Sequence, residues 1–389
     1  MTASPHGLLA ARNAVGWAFF LNGFLFASWV SRIPEAREAL DLGNGQLGLL
    51  LLAIAAGSVL AMPSTGPAIE RFGTVPVIRA AGASALVGLT LVSVALATGT
   101  VAPAVVGLFA YGVGTGVWDV AMNVEGAAVE QGLGRTVMPR FHAGFSLGTV
   151  VGSGVGAALV GLGVPAAAHL VPAAVVGFAG LLVGTRAFVP DVPVDHAEPR
   201  PSAWGAWTEP RTLLIGLMVL ALALTEGTAN DWLALALVDG YDVEHWVGVA
   251  GFAVFVTAMT AGRLWGPALL DRHGRTRVLW ATMAAAAGGV VLIVVGDHVV
   301  PVVLGIVLWG LGASLGFPVG MSAAADDPRR AAARVSVVST IGYAAFLAGP
   351  PLLGFVAERV GTLEALLVVA VVLLPSAAVV PSAREPGTR

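Results

Sequence analysis

At 389 residues, 57% hydrophobic and only 11% charged, the chain is far from a soluble globular domain, which carries about 25% charged residues. A net charge of −3 offers no basis for nucleic-acid binding or for an acidic partner. The absence of cysteine excludes disulfides and thiolate metal sites.

The mean hydropathy of +0.86 points to the bilayer, where a helical span needs about 20 mostly apolar residues. Twelve stretches meet that condition: 12–31, 46–68, 76–97, 102–124, 141–161, 167–188, 211–236, 246–268, 277–296, 300–322, 335–357 and 362–381. The fourth and tenth are glycine-rich and are expected to extend beyond the bilayer. The predicted class is therefore an all-α membrane protein. Connections are short except for 189–210, which is polar and proline-rich. The expected organisation is a six-helix bundle over 1–188, a cytoplasmic linker over 189–210 and a second six-helix bundle over 211–389. No signal peptide is evident, because the apolar run after Arg12 continues to Val30 without a small-residue cleavage site.

All 20 basic residues are arginine. With a cytoplasmic N-terminus, one side holds Arg12, Arg71, Arg79, Arg135, Arg140, Arg186, Arg200, Arg211, Arg263, Arg272, Arg275, Arg277, Arg329, Arg330, Arg334, Arg384 and Arg389. The other holds Arg32, Arg37 and Arg359. Cytoplasmic loops accumulate positive charge, so both termini are expected in the cytoplasm, at the inner membrane of a bacterium.

The halves repeat. Gly66–Ile78 (GPAIERFGTVPVI) matches Gly266–Leu279 (GPALLDRHGRTRVL), and Tyr111–Gly116 (YGVGTG) matches Trp309–Ser314 (WGLGAS). Parallel repeats of this kind imply a transporter that rocks around a central site. The glycines of Gly112-x-Gly114-x-Gly116 read as membrane packing rather than a phosphate cradle, because the run stays apolar and recurs in the tenth segment. No nucleotide-binding loop, metal-binding helix or nucleophile–base pair suggests an enzyme. No cofactor and no metal are expected, and a proton gradient is the expected energy source.

Ionisable side chains within a span are costly and mark functional positions. Asp119 and Asn123 stand four residues apart on the fourth segment and share a face. Desolvation favours the neutral carboxyl form, which suits Asp119 to carrying a proton; the alternative is a tether to Arg135 or Arg140. Glu125 lies on another face, either functional or paired near the boundary. His142 opens the fifth segment, either relaying protons or locking the fourth and fifth helices together. Glu226 and Asn230 repeat the acid-x-x-x-Asn arrangement on the seventh segment, and together they are expected to face Asp119 and Asn123 across a cavity. Asp231 reads as interfacial. Asn22, Phe26 and Trp29 form a stripe on the first segment that lines a cavity or packs, and Trp118 and Trp309 beside the glycine patches carry the same two readings. Gly144, Gly148, Gly152 and Gly156 recur every fourth residue on the fifth segment, a small-residue seam for close helix approach.

The loop elements Glu70-Arg71-x-Gly73 and Asp271-Arg272-x-Gly274-Arg275 resemble the loop signature of the major facilitator superfamily. The resemblance spans the whole chain: twelve segments, a duplicated half, a central linker and the loop element twice. It implies an alternating-access fold in which these elements help to hold the cytoplasmic end shut. The first copy has Glu70 for the usual aspartate and Thr74 where a basic residue is common. A narrower resemblance lies in Asp119-x-x-x-Asn123 followed by Phe141-His142-x-x-Phe145-Ser146-x-Gly148, which is similar to the fucose-permease-like branch of sugar–proton symporters. The chain has Asn22 where those proteins carry a carboxylate on the first helix. The implied function is proton-coupled uptake of a small polar, sugar-like solute by a monomer in the lipid bilayer. Proton-coupled efflux of a metabolite or drug, and a non-transporting membrane sensor, are the alternatives. The missing proline at the end of the fifth segment weighs against drug–proton antiport.

Overall fold

The computed structural model describes residues 5–189 and 202–385. Among these, twelve helices are long and apolar enough to cross a membrane. They are α1 (Gly7–Val30), α2 (Gln46–Phe72), α3 (Thr74–Thr98), α4 (Val101–Leu133), α5 (Met138–Gly161), α6 (Ala166–Ala187), α7 (Pro210–Tyr241), α8 (His245–His273), α9 (Arg275–Val295), α10 (Val299–Ala324), α11 (Ala331–Val360) and α12 (Thr362–Ala383). No strand occurs among the described residues. The helices have apolar residues on their outer faces, with Leu49, Leu60, Leu162 and Leu374 all exposed, as a lipid-facing surface requires.

Several helices outrun their apolar stretches. α4 runs 33 residues, about 50 Å, well past residue 124, and Glu125 in its continuation is buried. α8 likewise continues to His273. Most of the predicted linker, residues 190–201 with Arg200, lies outside the described residues, as does Arg389; the linker's end forms a 3₁₀ turn, Ala203–Thr208.

The chain divides into two compact units. The first holds α1–α4, α5 from Arg140 onward, α6, and the segment Pro328–Ser336. The second holds Arg135–Pro139, α7–α10, α11 from Val337 onward, and α12. Within each unit the repeated glycines do the same work. In the first, a methyl at Gly88 would lie 2.5 Å from the Tyr111 nitrogen, and one at Gly114 would lie 2.6 Å from the Ala81 carbonyl oxygen. In the second, a methyl at Gly289 would lie 2.6 Å from the Trp309 nitrogen, and one at Gly312 would lie 2.5 Å from the Thr282 carbonyl oxygen. α3 and α4, and α9 and α10, thus meet backbone to backbone, the close approach that small residues permit in lipid.

The loop element has a backbone reason for its glycine. Gly73 (φ 85°, ψ 162°) joins α2 to α3 and Gly274 (φ 76°, ψ 158°) joins α8 to α9. This region of conformational space is essentially restricted to glycine. Each forms a one-residue hinge that reverses the chain.

Candidate functional site

In the first unit, Asp119, Asn123 and His142 come together in buried surroundings. The Asn123 Nδ2 amide donates to the Asp119 backbone carbonyl at 2.9 Å. This orientation turns Oδ1 toward His142, whose Nε2 lies 3.2 Å away. An amide oxygen only accepts, so His142 donates from Nε2. The His142 ring stands edge-on to Phe19 of α1, with centroids 4.9 Å apart. One amide thus joins α4 to α5, and the imidazole continues the contact to α1. Arg135 and Arg140 are exposed. Glu125, 3% exposed, accepts the Val189 N–H at 2.5 Å and so anchors the end of α6.

The aromatic stripe on α1 does not present a single surface. Asn22 and Trp29 are buried whereas Phe26 is exposed. The Asn22 Nδ2 and Trp29 Nε1 groups are buried without hydrogen-bond partners. Trp118 continues the α4 stripe of Gly107, Tyr111 and Gly114 that packs on α3, and it is fully buried. Trp309 takes the place that Tyr111 has in the first unit: it meets α9 through Gly289, and its ring stands edge-on to Phe255 of α8 at 5.4 Å. Both tryptophans are fully buried.

The second unit holds a different arrangement. Glu226 Oε2 forms an ion pair with Arg263 Nη2 at 2.8 Å. Arg263 was expected among the cytoplasmic loop cations. The structure corrects this: it is 4% exposed and sits in α8, about 15 Å from the end at His273 at 1.5 Å per residue. The misplacement came from counting it at a helix edge, although it lies inside the apolar stretch 246–268. Its Nε also donates to the Ser314 carbonyl at 3.4 Å. That carbonyl is available because α10 is broken at Ser314–Leu315, between Val299–Ala313 and Gly316–Ala324. One turn beyond Glu226, α7 loosens into a π-turn, Ala229–Leu233, containing Asn230, Asp231 and Trp232. Asn230 and Asp231 are both exposed. Irregular backbone at membrane depth is tolerated where it lines a cavity, and π-turns are frequent at functional sites.

The loop elements differ in their engagement. Arg275 bonds Asp326 at 2.6 Å and approaches Glu385 at 3.7 Å, while Arg211 bonds the other Asp326 oxygen at 2.5 Å. Asp271 accepts the N–H of Thr136, which belongs to the same unit, at 3.1 Å; Arg272 is exposed. In the first copy, Arg71 lies over the ring of Phe72 at 5.3 Å. Asp326, the acceptor that gathers two arginines, was not singled out from the sequence. Nor was the buried cluster beside α1, where Arg32 donates to His169 Nδ1 at 3.0 Å and to Glu35 at 2.8 Å. Both contacts join residues too far apart, or too isolated in polar loops, for spacing to reveal.

A family model described as Major Facilitator Superfamily matches residues 15–326 and 246–388. An uncharacterised MFS-type transporter of Yersinia pestis is 34% identical over 365 residues, covering 93% of this chain and 92% of the relative. The fold is similar to that of the E. coli fucose:proton symporter FucP, with a TM-score of 0.82 and 15% identity over 97% of this chain and all of that one. It is also similar to the human organic anion transporter TETRAN, with a TM-score of 0.75 and 14% identity over 97% of this chain and 100% of that one. A duplicated set of twelve spanning helices, two glycine-hinged loop elements and these matches have one meaning: the chain is a multi-pass membrane transporter that belongs to the major facilitator superfamily.

Proposed function

We propose that the protein takes up a small polar, hydroxylated solute across the cytoplasmic membrane by alternating access, in symport with protons. The observation that carries this reading is the placement of Asp119 and Glu226 within membrane helices, one in each unit. A carboxylate at such depth is retained for a task that needs it, and taking up and releasing a proton is the task it can perform. Asn22 and Asn230 add amide groups suited to hydroxyls, since an amide both donates and accepts. Asn123 and His142 position Asp119 and its helix. The arginine distribution, with Arg263 removed from the loop tally, still favours cytoplasmic termini. The fold shared with the fucose:proton symporter FucP agrees with this reading.

The test is solute accumulation in proteoliposomes under an imposed pH gradient. Asp119→Asn and Glu226→Gln should each abolish accumulation while counterflow exchange survives. Normal accumulation by both variants would make the carboxylates structural. Proton movement opposite to uptake would identify an exporter, and ligand binding without flux a sensor.

A further inference from the structure

Asp231 stands ten residues before Tyr241, the last residue of α7, about 15 Å inside that end at 1.5 Å per residue. The apolar run Leu233–Val238 separates it from Asp239, so its carboxylate lies at membrane depth rather than at the interface. An ionisable group at such depth faces a water-filled cavity or the bundle interior, because hydrocarbon is too costly for it. Asp231 is exposed, as is Asn230 beside it in the π-turn Ala229–Leu233. Their neighbour Trp232 packs beside Gly354 of α11, where a methyl would meet its ring at 3.6 Å. Three residues before Asp231, and so on its side of the helix, the Thr228 hydroxyl is buried without a hydrogen-bond partner. The two carboxylates in this part of α7 differ in one respect. Glu226 is held by Arg263 at 2.8 Å, whereas the side chains of Asn230 and Asp231 form no hydrogen bond or ion pair among the described residues.

We propose that Asp231 binds a cationic group on the solute, a protonated amine, with Asn230 and Thr228 bonding neighbouring hydroxyls. The inference rests on the transporter reading above and narrows its substrate to a hydroxylated amine. Charge complementarity carries it. Between Arg211 and His245 the chain holds five carboxylates, Glu226, Asp231, Asp239, Asp242 and Glu244, and no basic residue. A surface lined by one sign of charge raises the local concentration of the opposite sign, so the approach along α7 favours a cation. Glu226 is already engaged by Arg263, which leaves Asp231 as the membrane-depth carboxylate of this helix whose charge a solute can complete. An ammonium offers three donors and no acceptor, and its bonds to a carboxylate are roughly twice as strong as bonds between neutral groups. A neutral sugar could donate a hydroxyl to Asp231 but would leave its charge uncompensated once water is excluded, which is costly. A solute carboxylate would be repelled.

The test is thermal unfolding of the purified full chain in uncharged detergent, at neutral pH and constant ionic strength. The probes are ethanolamine, glucosamine, N-acetylglucosamine and glucose. Glucosamine and N-acetylglucosamine share a hydroxylated six-carbon ring and differ in the charge on nitrogen. Ethanolamine and glucosamine should raise the Tm of the parent protein, by about 3 °C at saturation, and the two uncharged sugars should not. Asp231→Asn keeps the shape of an exposed side chain, so it should unfold at the temperature of the parent and respond to none of the four. Asp231→Glu keeps the charge and should retain part of the response. The inference is overturned if the parent ignores both amines, if Asp231→Asn responds as the parent does, or if the uncharged sugars stabilise as well as glucosamine. It is also overturned if NaCl in place of the amines gives the same shift, which would mark a site for an inorganic cation. Amine binding that Asp231→Asn removes, without amine flux in proteoliposomes, would overturn the transport reading and leave the site standing. Proton-driven accumulation of glucose that Asp231→Asn leaves unchanged would do the reverse.

Discussion

The two units share a scaffold and divide the chemistry. α3 on α4 and α9 on α10 use the same glycine seam, position for position, with Tyr111 in the first unit where Trp309 stands in the second. α1 on α5 and α7 on α11 do not match. In the first pair a methyl on Gly152 would lie 2.6 Å from the Phe24 carbonyl, and one on Gly148 would overlap the Phe20 carbonyl, so backbone meets backbone. In the second pair the space beside Gly342 and Gly349 is filled by Val219 and Leu224 side chains. The polar groups differ as well. The first unit holds an amide–imidazole link beside Asp119; the second holds an ion pair, a π-turn and a broken helix. Duplication preserved what packing demands in both halves, while each half acquired its own ionisable groups.

The largest difference should appear when one charge is removed. Arg263→Ala leaves Glu226 without its cation in a largely buried position, and breaking such a pair costs about 3–5 kcal/mol. Replacing both members by amides, in E226Q/R263Q, should recover most of that loss, because an uncharged pair has no comparable desolvation penalty. Thermal unfolding of the three proteins in detergent measures this. Equal losses in the single and double variants would show that the two side chains are not coupled.

The seams provide a smaller contrast. Gly148→Ala puts a methyl into the Phe20 carbonyl, which cannot rotate away, and overpacking of this kind costs about 1–3 kcal/mol. Gly342→Ala meets the Cγ1 of Val219 at 2.8 Å. That methyl belongs to a side chain, which can shift where a backbone carbonyl cannot, so the cost should be under about 1 kcal/mol. Tm and the yield of folded protein from membranes would both report the difference. Equal sensitivity would mean that α7–α11 is as rigid as α1–α5.

These contrasts explain what the sequence made legible. Spans, seams and hinges are local: apolar length, four-residue glycine spacing and a glycine ending each loop element are visible in one stretch of chain. Glu226 was visible as a carboxylate in an apolar run. Its partner was not, because Arg263 lies 37 positions away and a cation near a helix end fits the orientation rule equally well. The break in α10 was hidden for the opposite reason: Ser314–Leu315 interrupts an apolar run without proline or charge. Hydrophobic length therefore continued through a backbone interruption that only tertiary bonding stabilises. Asn123 bonds the Asp119 backbone carbonyl, a choice that residue type alone does not determine.

The smallest expected effect distinguishes the two readings of His142. Its Nε2–H donates to Asn123, and a glutamine side chain can place an N–H at a similar distance from the backbone without ever titrating. His142→Gln should therefore retain the link between α4 and α5, with stability and accumulation close to those of the parent. His142→Ala removes the donor and leaves the buried Asn123 oxygen unmatched, at a cost of about 1–3 kcal/mol. Tm reports the link and proteoliposome accumulation reports the chemistry. If the glutamine variant is as stable as the parent but accumulates no solute, the imidazole titrates during transport, and the first unit carries a second proton-active group beside Asp119. If both measurements survive, His142 is the bolt that holds Asn123 against its helix, and the proton chemistry of the first unit belongs to Asp119.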